Sequence, residues 1–381
     1  MRRKILVTTG TRAEYGILRP LLRAISNSKK LELFLVVTGM HLSKKYGYTI
    51  KEIKKDGFMI YDVVDMIPKD DSLYSMSIEL GNGVISFSKI LRRLKPDINV
   101  ILGDRDEMLA SAIAAYHMNI PNAHIHGGDR TQGGIDEYNR HAITKISNIH
   151  FAATKKSKVR IIKMGEDPKY VFLTGSPSID EIVSEISTIQ DIQKKYDLKL
   201  SGNEILLVQH PVTTETDLAE KQILSTLQAV IRTKRKIIAI APNSDAGNRI
   251  IFRHLKSYSK KYPSIRLYAS LPRSDYLGMI KNCGLLVGNS SSGIIDASYF
   301  DTPVVNIGIR QKGRETGSNV YHVEYFKENL IYETILKALK TKRRTSRTHH
   351  IYGQGHASEK IVNCLETIRL NRHLIKKQIF Y

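Results

Sequence analysis

Short apolar segments alternate with helical stretches along almost the whole chain, and this alternation limits the fold more than any other feature. The first segment, KILVTT at residues 4–9, is bounded by glycine, as buried strands are, and a helical pattern runs from Ala13 to about Ser26. Strands that alternate with helices of this length predict a parallel sheet covered on both faces. The other strands predicted in the first half lie at residues 31–37, 59–64, 97–102, 122–126, 149–153 and 170–174.

Two further helices are predicted in the first half. One is predicted from about Ser72 to Leu94 and is interrupted by the glycines at positions 81 and 83. The other runs from Glu107 to His117, between two of the strands.

A second alternating series follows a lysine-containing helical stretch at residues 178–202, which we interpret as a connector. Its strands are predicted at residues 204–209, 236–241, 265–269, 285–288 and 303–307, with helices near 217–232, 246–260, 274–281, 293–299 and 327–340. We therefore predict an α/β fold of two Rossmann-like, doubly wound domains that face a central cleft. The expected domains are residues 1–177 and 203–357, and a helix in residues 358–381 is expected to pack back on the first domain.

Composition narrows the class of protein. A length of 381 residues suffices for two domains, and no apolar run is long enough to span a bilayer, so no membrane partner is expected. Two cysteines give no disulfide framework, which favours the cytoplasm. The net charge of +22 suggests nucleic acid, but the basic residues are scattered, and the densest cluster, at residues 341–381, has no accompanying binding motif. We favour an anionic small substrate over nucleic acid.

Ionisable side chains are concentrated between Ile101 and His141, at the ends of predicted strands and at the start of a helix. They are Asp104, Asp106, Glu107, His124, His126, Asp136 and Glu137. Ligands of open α/β sheets bind at the carboxyl ends of the strands, so this stretch is interpreted as the chemical half of an active site. His124 and His126 alternate, and we expect both side chains on one side of their strand. Glu137, Arg140, His141 and Thr144 share one helix face by their spacing.

Histidines mixed with carboxylates also suit a metal ion. There is, however, no HExxH pattern, and Arg105, Arg130 and Arg140 lie among the acids. Cations within the cluster favour acid/base chemistry over a metal site. A purely structural ion-pair network remains an alternative for Asp106 and Arg140.

Glycine-rich turns after predicted strands are candidate anion sites. Gly10-Thr11-Arg12 precedes the first helix, where backbone N–H groups and Arg12 suit a phosphate, although alone it reads as an ordinary turn. Residues 288–293, GNSSSG, bring Ser290 and Ser291 to the start of another helix, and this concentration of small polar residues favours a diphosphate. Asp296, one turn later, can accept hydrogen bonds from ribose hydroxyls.

Three more loops of the second half end strands in the same way. His210 lies in QHPVTT, where a proton donor or a phosphate partner is expected, with a structural histidine equally plausible. Asn243 lies in PNSDAG and is a candidate contact for the base or ribose. Arg310 opens the charged loop RQKGRETG, which we interpret as cationic arms for phosphates rather than a solvated loop.

These motifs, in order, resemble those of the hydrolysing UDP-N-acetylglucosamine 2-epimerases of sialic acid synthesis. The likeness rests on HIHGGDRTQGGIDEYNRHAITK, QHPVTT, PNSDAG, GNSSSG and RQKGRETG, and extends from GTRAEYG at residues 10–16 to IYGQG at residues 351–355. The resemblance implies a glycosyltransferase-B-like fold. It also implies conversion of UDP-N-acetylglucosamine and water to N-acetylmannosamine and UDP, by elimination to a 2-acetamidoglucal and then hydration.

Residue roles follow from the resemblance by matching motif positions. The residues implied to line the reacting sugar are Asp104, His126, Asp136, Glu137 and His210. The residues implied to hold UDP are Arg12, Arg105, Asn243, Ser290, Ser291, Asp296 and Arg310. Many family members carry Glu where this chain has His126, and Glu is usual at the position of Asp296. No cofactor and no metal is implied, and a homo-oligomer, a dimer or a tetramer, is expected.

Three alternatives remain open from the sequence. The same chemistry suits a UDP- or GDP-linked 2,4-diacetamido-2,4,6-trideoxyglucose, on the way to legionaminic-type acids. A non-hydrolysing epimerase would release UDP-N-acetylmannosamine. A protein of a different class would bind a nucleotide sugar without catalysis, but the carboxylate cluster argues against it.

Overall fold

A computed structural model describes residues 2–70, 72–132, 134–184, 186–341 and 350–380. The chain divides into two compact units. The first unit contains Met1–Asp129, Asp136–Glu181 and Tyr352–Tyr381, and the second contains Arg130–Ile135 and Ile182–Ile351. Among the described residues, no helix is both long and apolar enough to cross a membrane. Part of the basic C-terminal cluster, residues 342–349, lies outside the described residues.

The first unit is built on seven parallel strands, and its helices lie between and after them. The strands are β1 (Arg3–Thr9), β2 (Leu31–Thr38), β3 (Ile60–Val64), β4 (Ile98–Leu102), β5 (Asn122–Ile125), β6 (Ile149–Ala152) and β7 (Val171–Leu173). The helices are α1 (Arg12–Asn27), α2 (Ile50–Lys55), α3 (Leu73–Leu94), α4 (Asp106–His117), α5 (Ile135–Lys145), α6 (Lys155–Lys163) and α7 (Pro177–Ser184). The first residue of α5 and the last three of α7 are assigned to the second unit.

Six parallel strands form the sheet of the second unit. They are β8 (Ile205–Val208), β9 (Ile237–Ile240), β10 (Ile265–Tyr268), β11 (Leu285–Gly288), β12 (Val304–Ile307) and β13 (Val320–Val323). The helices are α8 (Ile189–Tyr196), α9 (Ala219–Arg232), α10 (Asn248–Lys261), α11 (Arg273–Asn282), α12 (Ser291–Ile294), α13 (Asp296–Tyr299) and α14 (Glu328–Leu339). Two further helices, α15 (Ala357–Thr367) and α16 (Arg372–Ile375), follow in the C-terminal segment of the first unit.

The two sheets have the same doubly wound arrangement. The first has the order β3-β2-β1-β4-β5-β6-β7 and the second the order β10-β9-β8-β11-β12-β13, with every described pair parallel. In both, the strand order reverses beside the first strand of the unit, at β1/β4 and at β8/β11, which is where such sheets bind ligands. The predicted fold class of two Rossmann-like parallel sheets is confirmed.

The central strands are almost entirely apolar because helices cover both of their faces. Every residue of β4 is buried, and so is every residue of β8. The C-terminal segment belongs to the core of the first unit, since Ile361, Leu365 and Leu374 pack in the same cluster as β1 residues such as Ile5.

One predicted interruption is wrong. Helix α3 is continuous from Leu73 to Leu94 and passes through both glycines. Gly83 is buried, and a Cβ placed there would lie 2.5 Å from Met66 Cε and 3.0 Å from Ala110 Cβ. The residue is glycine because α3 packs closely against its neighbours at that point, not because the helix ends there.

Three smaller predictions also need correction. Strand β5 ends at Ile125, so the alternation argument does not extend to His126. The helix expected near 293–299 is two short helices, α12 and α13, with Ile295 between them, and the first begins earlier than expected because Ser290 caps it by accepting the N–H of Ser292. Strand β13 was not predicted, since it is a short edge strand in which only Val323 is fully buried.

Candidate active site

Polar residues of the first unit gather where β1, β4 and β5 end. Arg140, on α5, lies at the centre of one group and is only 1% exposed. It donates to Glu137 Oε2 at 2.9 Å, and it also pairs with Asp104, in the turn after β4. Burial opposes the charge of Arg140, but the carboxylates of Asp104 and Asp129 outweigh it and raise the pKa of the guanidinium. A permanent cation therefore fixes two carboxylates from different elements side by side.

The predicted helix face of α5 is confirmed. Glu137 contacts two residues of this face, because its other carboxylate oxygen lies 2.9 Å from His141 Nε2. The negative charge of Asp136 also acts on Arg140. The structure thus brings together three of the predicted sugar-lining residues, Asp104, Asp136 and Glu137, around one arginine.

A second acidic group pairs Glu107, which the sequence had indicated, with Glu14, which the sequence reasoning missed. Glu14, on α1, and Glu107, on α4, are both buried beside Gly10. A Cβ placed on Gly10 would lie 3.1 Å from the Glu107 carboxyl carbon and 3.2 Å from Glu14 Oε2. Burial raises the pKa of Glu14 to about 8, the charge of Glu107 adds to the rise, and the Arg105 guanidinium opposes it.

Glu14 was overlooked because it follows a capping-box pattern. Its backbone N–H donates to Thr11 Oγ1 at 3.2 Å, while its carboxylate accepts the Gly10 N–H at 3.1 Å. The signal that would have found it is the combination of this glutamate with a strand-ending glycine.

Two arginines expected to hold UDP lie in the first unit and are already paired. Arg12 Nε donates to Glu52 Oε2 at 2.8 Å, across to helix α2. Arg105, the N-cap residue of α4, donates to Glu107 Oε2 at 3.1 Å. Both side chains are mostly buried cations near strand ends, so the geometry suits anions, but each has a carboxylate partner in this structure.

The two histidines of the β5 region have different surroundings. His124 is buried, its Nε2–H donates to the Gly103 carbonyl at 2.7 Å, and burial lowers its pKa to about 3. Nδ1 of His126 contacts the Asp129 carboxylate at 3.1 Å, and Nε2 contacts Ser176 Oγ at 2.8 Å. His124 is thus a neutral structural histidine.

The second unit presents its own cluster at the end of β8. His210 Nδ1 accepts the backbone N–H of Asn243 at 3.1 Å, so a neutral ring carries its proton on Nε2. Asn289 fixes the same loop from β11: its side chain accepts the His210 N–H at 2.7 Å and donates to the His210 carbonyl at 2.9 Å. Asn289 is fully buried and was not singled out from the sequence.

The GNSSSG turn starts helix α12. Ser290 Oγ lies 2.9 Å from Ser292 Oγ, and Tyr276 Oη lies 2.5 Å from the same Ser292 hydroxyl. Burial raises the pKa of Tyr276 to about 12. Ser291 occupies the first position of the helix. These hydroxyls and the amides of the turn are hydrogen-bond donors suited to an anion.

Asp296 and Arg310 complete the second-unit residues. Asp296 is buried and accepts two hydrogen bonds from Arg273, both at 2.8 Å. Arg310 donates to the carbonyl of Asn289 at 3.3 Å, and Gln311 donates to the same oxygen at 3.2 Å. The charged loop is therefore anchored to the GNSSSG turn through Asn289. In the described part of the chain, no group of three or more His, Cys, Asp or Glu side chains is arranged to hold a metal ion.

A family profile described as UDP-N-acetylglucosamine 2-epimerase matches residues 23–366. The chain belongs to this 2-epimerase family. It is 38% identical over 380 residues, 99% of both chains, to the UDP-N,N'-diacetylbacillosamine 2-epimerase (hydrolyzing) of Legionella pneumophila. It is 34% identical to the UDP-N-acetylglucosamine 2-epimerase of Neisseria meningitidis, over 88% of this chain and 87% of that one.

A third relative supports the family, and one solved structure supports the fold. The GDP/UDP-N,N'-diacetylbacillosamine 2-epimerase (hydrolyzing) of Campylobacter jejuni is 34% identical over 99% of both chains. The Methanocaldococcus jannaschii UDP-GlcNAc 2-epimerase, solved in complex with UDP-GlcNAc and UDP, has a TM-score of 0.81 and 19% identity, over 95% of this chain and 99% of that one. The chain therefore shares the glycosyltransferase-B-like fold of its structural relatives.

Proposed function

We propose that this protein is a hydrolysing 2-epimerase of a UDP-linked 2,4-diacetamido-2,4,6-trideoxyglucose, the diacetylbacillosamine type of sugar nucleotide. The products are UDP and the free 2,4-diacetamido-2,4,6-trideoxymannose. The observation that carries the proposal is the match, over 99% of both chains, to two hydrolysing 2-epimerases named for diacetylbacillosamine. This is the alternative substrate of the sequence analysis, and it replaces UDP-N-acetylglucosamine as the first choice.

The chemistry has two steps whose atoms balance. First, a base removes the proton from carbon 2, the electron pair forms the double bond between carbons 1 and 2, and the carbon–oxygen bond to UDP breaks. Water then adds its oxygen to carbon 1, and a proton is delivered to carbon 2. This proton arrives on the face opposite to the one from which the first proton was removed, so the configuration at carbon 2 is inverted. The reaction therefore needs acid/base groups on both faces of the sugar, together with cations or dipoles for the diphosphate that leaves.

The first unit supplies the acid/base groups in this proposal. Asp104 and Glu137 are held by Arg140, so their carboxylates stay fixed while a proton moves. Asp136 lies in the first turn of the same helix as Glu137. Arg12 and Arg105 are the cations of this unit, and an arriving diphosphate would compete with Glu52 and Glu107 for them.

The second unit supplies the UDP contacts. His210 is assigned as the proton donor to the leaving diphosphate, because the Asn243 N–H fixes the proton of a neutral ring on Nε2. The start of α12, with Ser290 and Ser291, is assigned to binding the phosphates of UDP. Arg310 is assigned to stabilising the negative charge that develops on the leaving diphosphate. Asp296 is assigned to the ribose, with two of its lone pairs already used by Arg273.

A product assay across a small panel of donors tests the proposal. Purified protein is incubated with the UDP- and GDP-linked 2,4-diacetamido-trideoxy sugars and with UDP-N-acetylglucosamine, and release of nucleotide and free sugar is measured. We expect kcat/KM for the UDP-diacetamido sugar to exceed that for UDP-N-acetylglucosamine by about tenfold or more, since a site built to bind a second acetamido group discriminates against a hydroxyl.

Two relatives keep UDP-N-acetylglucosamine as the second candidate substrate. One is the N. meningitidis enzyme, and the other is the polysialic acid biosynthesis protein P7 of Escherichia coli, 40% identical over 86% of this chain and 84% of that one. Higher kcat/KM on UDP-N-acetylglucosamine, with N-acetylmannosamine as product, would decide for it. Accumulation of UDP-N-acetylmannosamine would instead indicate the non-hydrolysing reaction, and UDP binding without turnover of any donor would contradict an enzymatic function.

A further inference from the structure

His126 lies just beyond β5 with a backbone φ of 66°, in the left-handed region. Residues other than glycine rarely adopt this conformation, and it persists only where surrounding contacts impose it. The contacts that hold His126 therefore show what the residue is built to do.

Both ring nitrogens of His126 are engaged by protein groups. Nδ1 lies 3.1 Å from Asp129 Oδ2, and Nε2 lies 2.8 Å from Ser176 Oγ. All three residues are buried, with 6% or less of each exposed. A histidine that removes a proton from a sugar needs a ring nitrogen directed at the substrate, whereas both ring nitrogens of His126 contact protein groups.

The partners of this histidine are themselves fixed. Ser157 Oγ donates to the second carboxylate oxygen of Asp129 at 2.7 Å, and the N–H of Ser178 donates to Ser176 Oγ at 3.2 Å. An ionised carboxylate only accepts hydrogen bonds, so Nδ1 of His126 must carry the proton that it shares with Asp129. The ring is thereby held between two fixed partners. Asp129 is anchored by Ser157, near the start of α6, and Ser176 immediately precedes α7.

Asp129 connects His126 to the acid/base cluster around Arg140. Its backbone carbonyl accepts from Arg140 Nη1 at 3.4 Å, and its negative charge is one of those that favour the charged form of Arg140. Arg140 in turn holds Asp104 and Glu137. One continuous series of contacts therefore runs from Ser176 through His126 and Asp129 to the carboxylates assigned to the sugar.

We propose that His126 is a positioning residue of the 2-epimerase reaction, held by Asp129 and Ser176, and that it acts through Arg140 on Asp104 and Glu137. The proposal rests on the function proposed above. It removes His126 from the candidates for the base and leaves the carboxylates around Arg140 in that role.

The test compares His126→Asn with His126→Ala. Asparagine tolerates the left-handed backbone, and its side-chain N–H stands near the place of Nδ1–H, so it keeps the bond to Asp129 but cannot exchange a proton as imidazole does. We expect kcat of His126→Asn to stay within about tenfold of the wild-type value and kcat of His126→Ala to fall about a hundredfold. The pH profile of kcat/KM should keep the same limbs in His126→Asn as in the wild type.

Two results would overturn the proposal. One is an equal loss of kcat, of about a thousandfold, in both variants, and the other is the disappearance of one limb of the pH profile in His126→Asn. Either would show that His126 itself carries the proton, because an amide cannot replace imidazole in that role. The matched control is His117→Asn, at the exposed end of α4. Thermal unfolding of each variant shows whether it is folded when it is assayed.

A second measurement does not depend on turnover. Histidine labelled with nitrogen-15 reports by NMR which ring nitrogen carries a proton, and the signal absent from His126→Asn identifies His126. We expect Nδ1 to be protonated at neutral pH. An unprotonated Nδ1 would contradict the hydrogen bond that we assign from His126 to Asp129. If the wild type turns over no sugar nucleotide, the proposed function fails, while this measurement still tests the placement of His126.

Discussion

Glu14 is the carboxyl group of the first unit whose protonation its surroundings change most clearly. Its pKa is raised to about 8 by burial and by the charge of Glu107, against the ordinary value of 4.5. The folded protein therefore holds a proton on Glu14 that the unfolded chain has already lost above pH 4.5. The contribution of Glu14 to the free energy of unfolding is therefore fully present below pH 4.5, and it is lost as the pH rises from 4.5 to about 8.

Replacing Glu14 by glutamine should remove this pH dependence. We expect Glu14→Gln to match the wild type near pH 4 and to be more stable by on the order of 2–4 kcal/mol at pH 9, as the shift of a buried group implies. The midpoint of urea unfolding, measured across this range, checks the difference. Glu359→Gln, an exposed glutamate on α15, is the control, and a Glu14→Gln protein less stable than the wild type at pH 9 would contradict the account.

The residues of the acid/base cluster were predictable to an uneven degree. Asp104 and Glu137 were found because ionisable groups follow strand patterns in the sequence, and the structure brings both to Arg140. Glu14 and Asn289 were missed because their importance depends on burial and on partners distant in sequence, Glu107 and His210. A single sequence does not show which side chains lose contact with water.

At the scale of elements, α3 shows why glycine is ambiguous in a sequence. Both Gly81 and Gly83 lie inside one continuous helix, although the pair was predicted to break it. The space around Gly83 is filled by Met66 and Ala110, whereas nothing lies within 4 Å of a Cβ placed on Gly81. Local propensity penalises both glycines, and only the packing distinguishes them.

The two positions therefore form a matched pair of substitutions. Gly83→Ala should destabilise the protein by about 1–3 kcal/mol because the added methyl overpacks the contacts with Met66 and with Ala110, whose Cβ has no flexible end to move aside. Gly81→Ala should stabilise it by about 0.5–1 kcal/mol, since alanine loses less backbone entropy in a helix. Thermal unfolding of both variants measures the difference, and equal midpoints would show that Gly83 does not set the packing of α3.

At the scale of the whole molecule, the alternation of strands and helices was enough to predict two parallel, doubly wound sheets. The period of the apolar pattern depends on neighbouring residues only, so it survives in a single sequence. The C-terminal segment is different: Lys377 donates to the Lys145 carbonyl at 2.5 Å, and its Nζ pairs with the buried Glu166, contacts between residues more than two hundred positions apart. No local pattern predicts such pairs.

Family membership and the Arg140 cluster support the proposal that the protein breaks the carbon–hydrogen bond at carbon 2 while it releases UDP. The most direct measurement is turnover of the UDP-linked 2,4-diacetamido-trideoxy sugar in deuterated water, with the product examined by NMR and mass spectrometry. We expect free sugar of the manno configuration with one solvent deuterium at carbon 2, and UDP in equal amount. Free sugar that retains its original hydrogen at carbon 2 would contradict elimination and hydration.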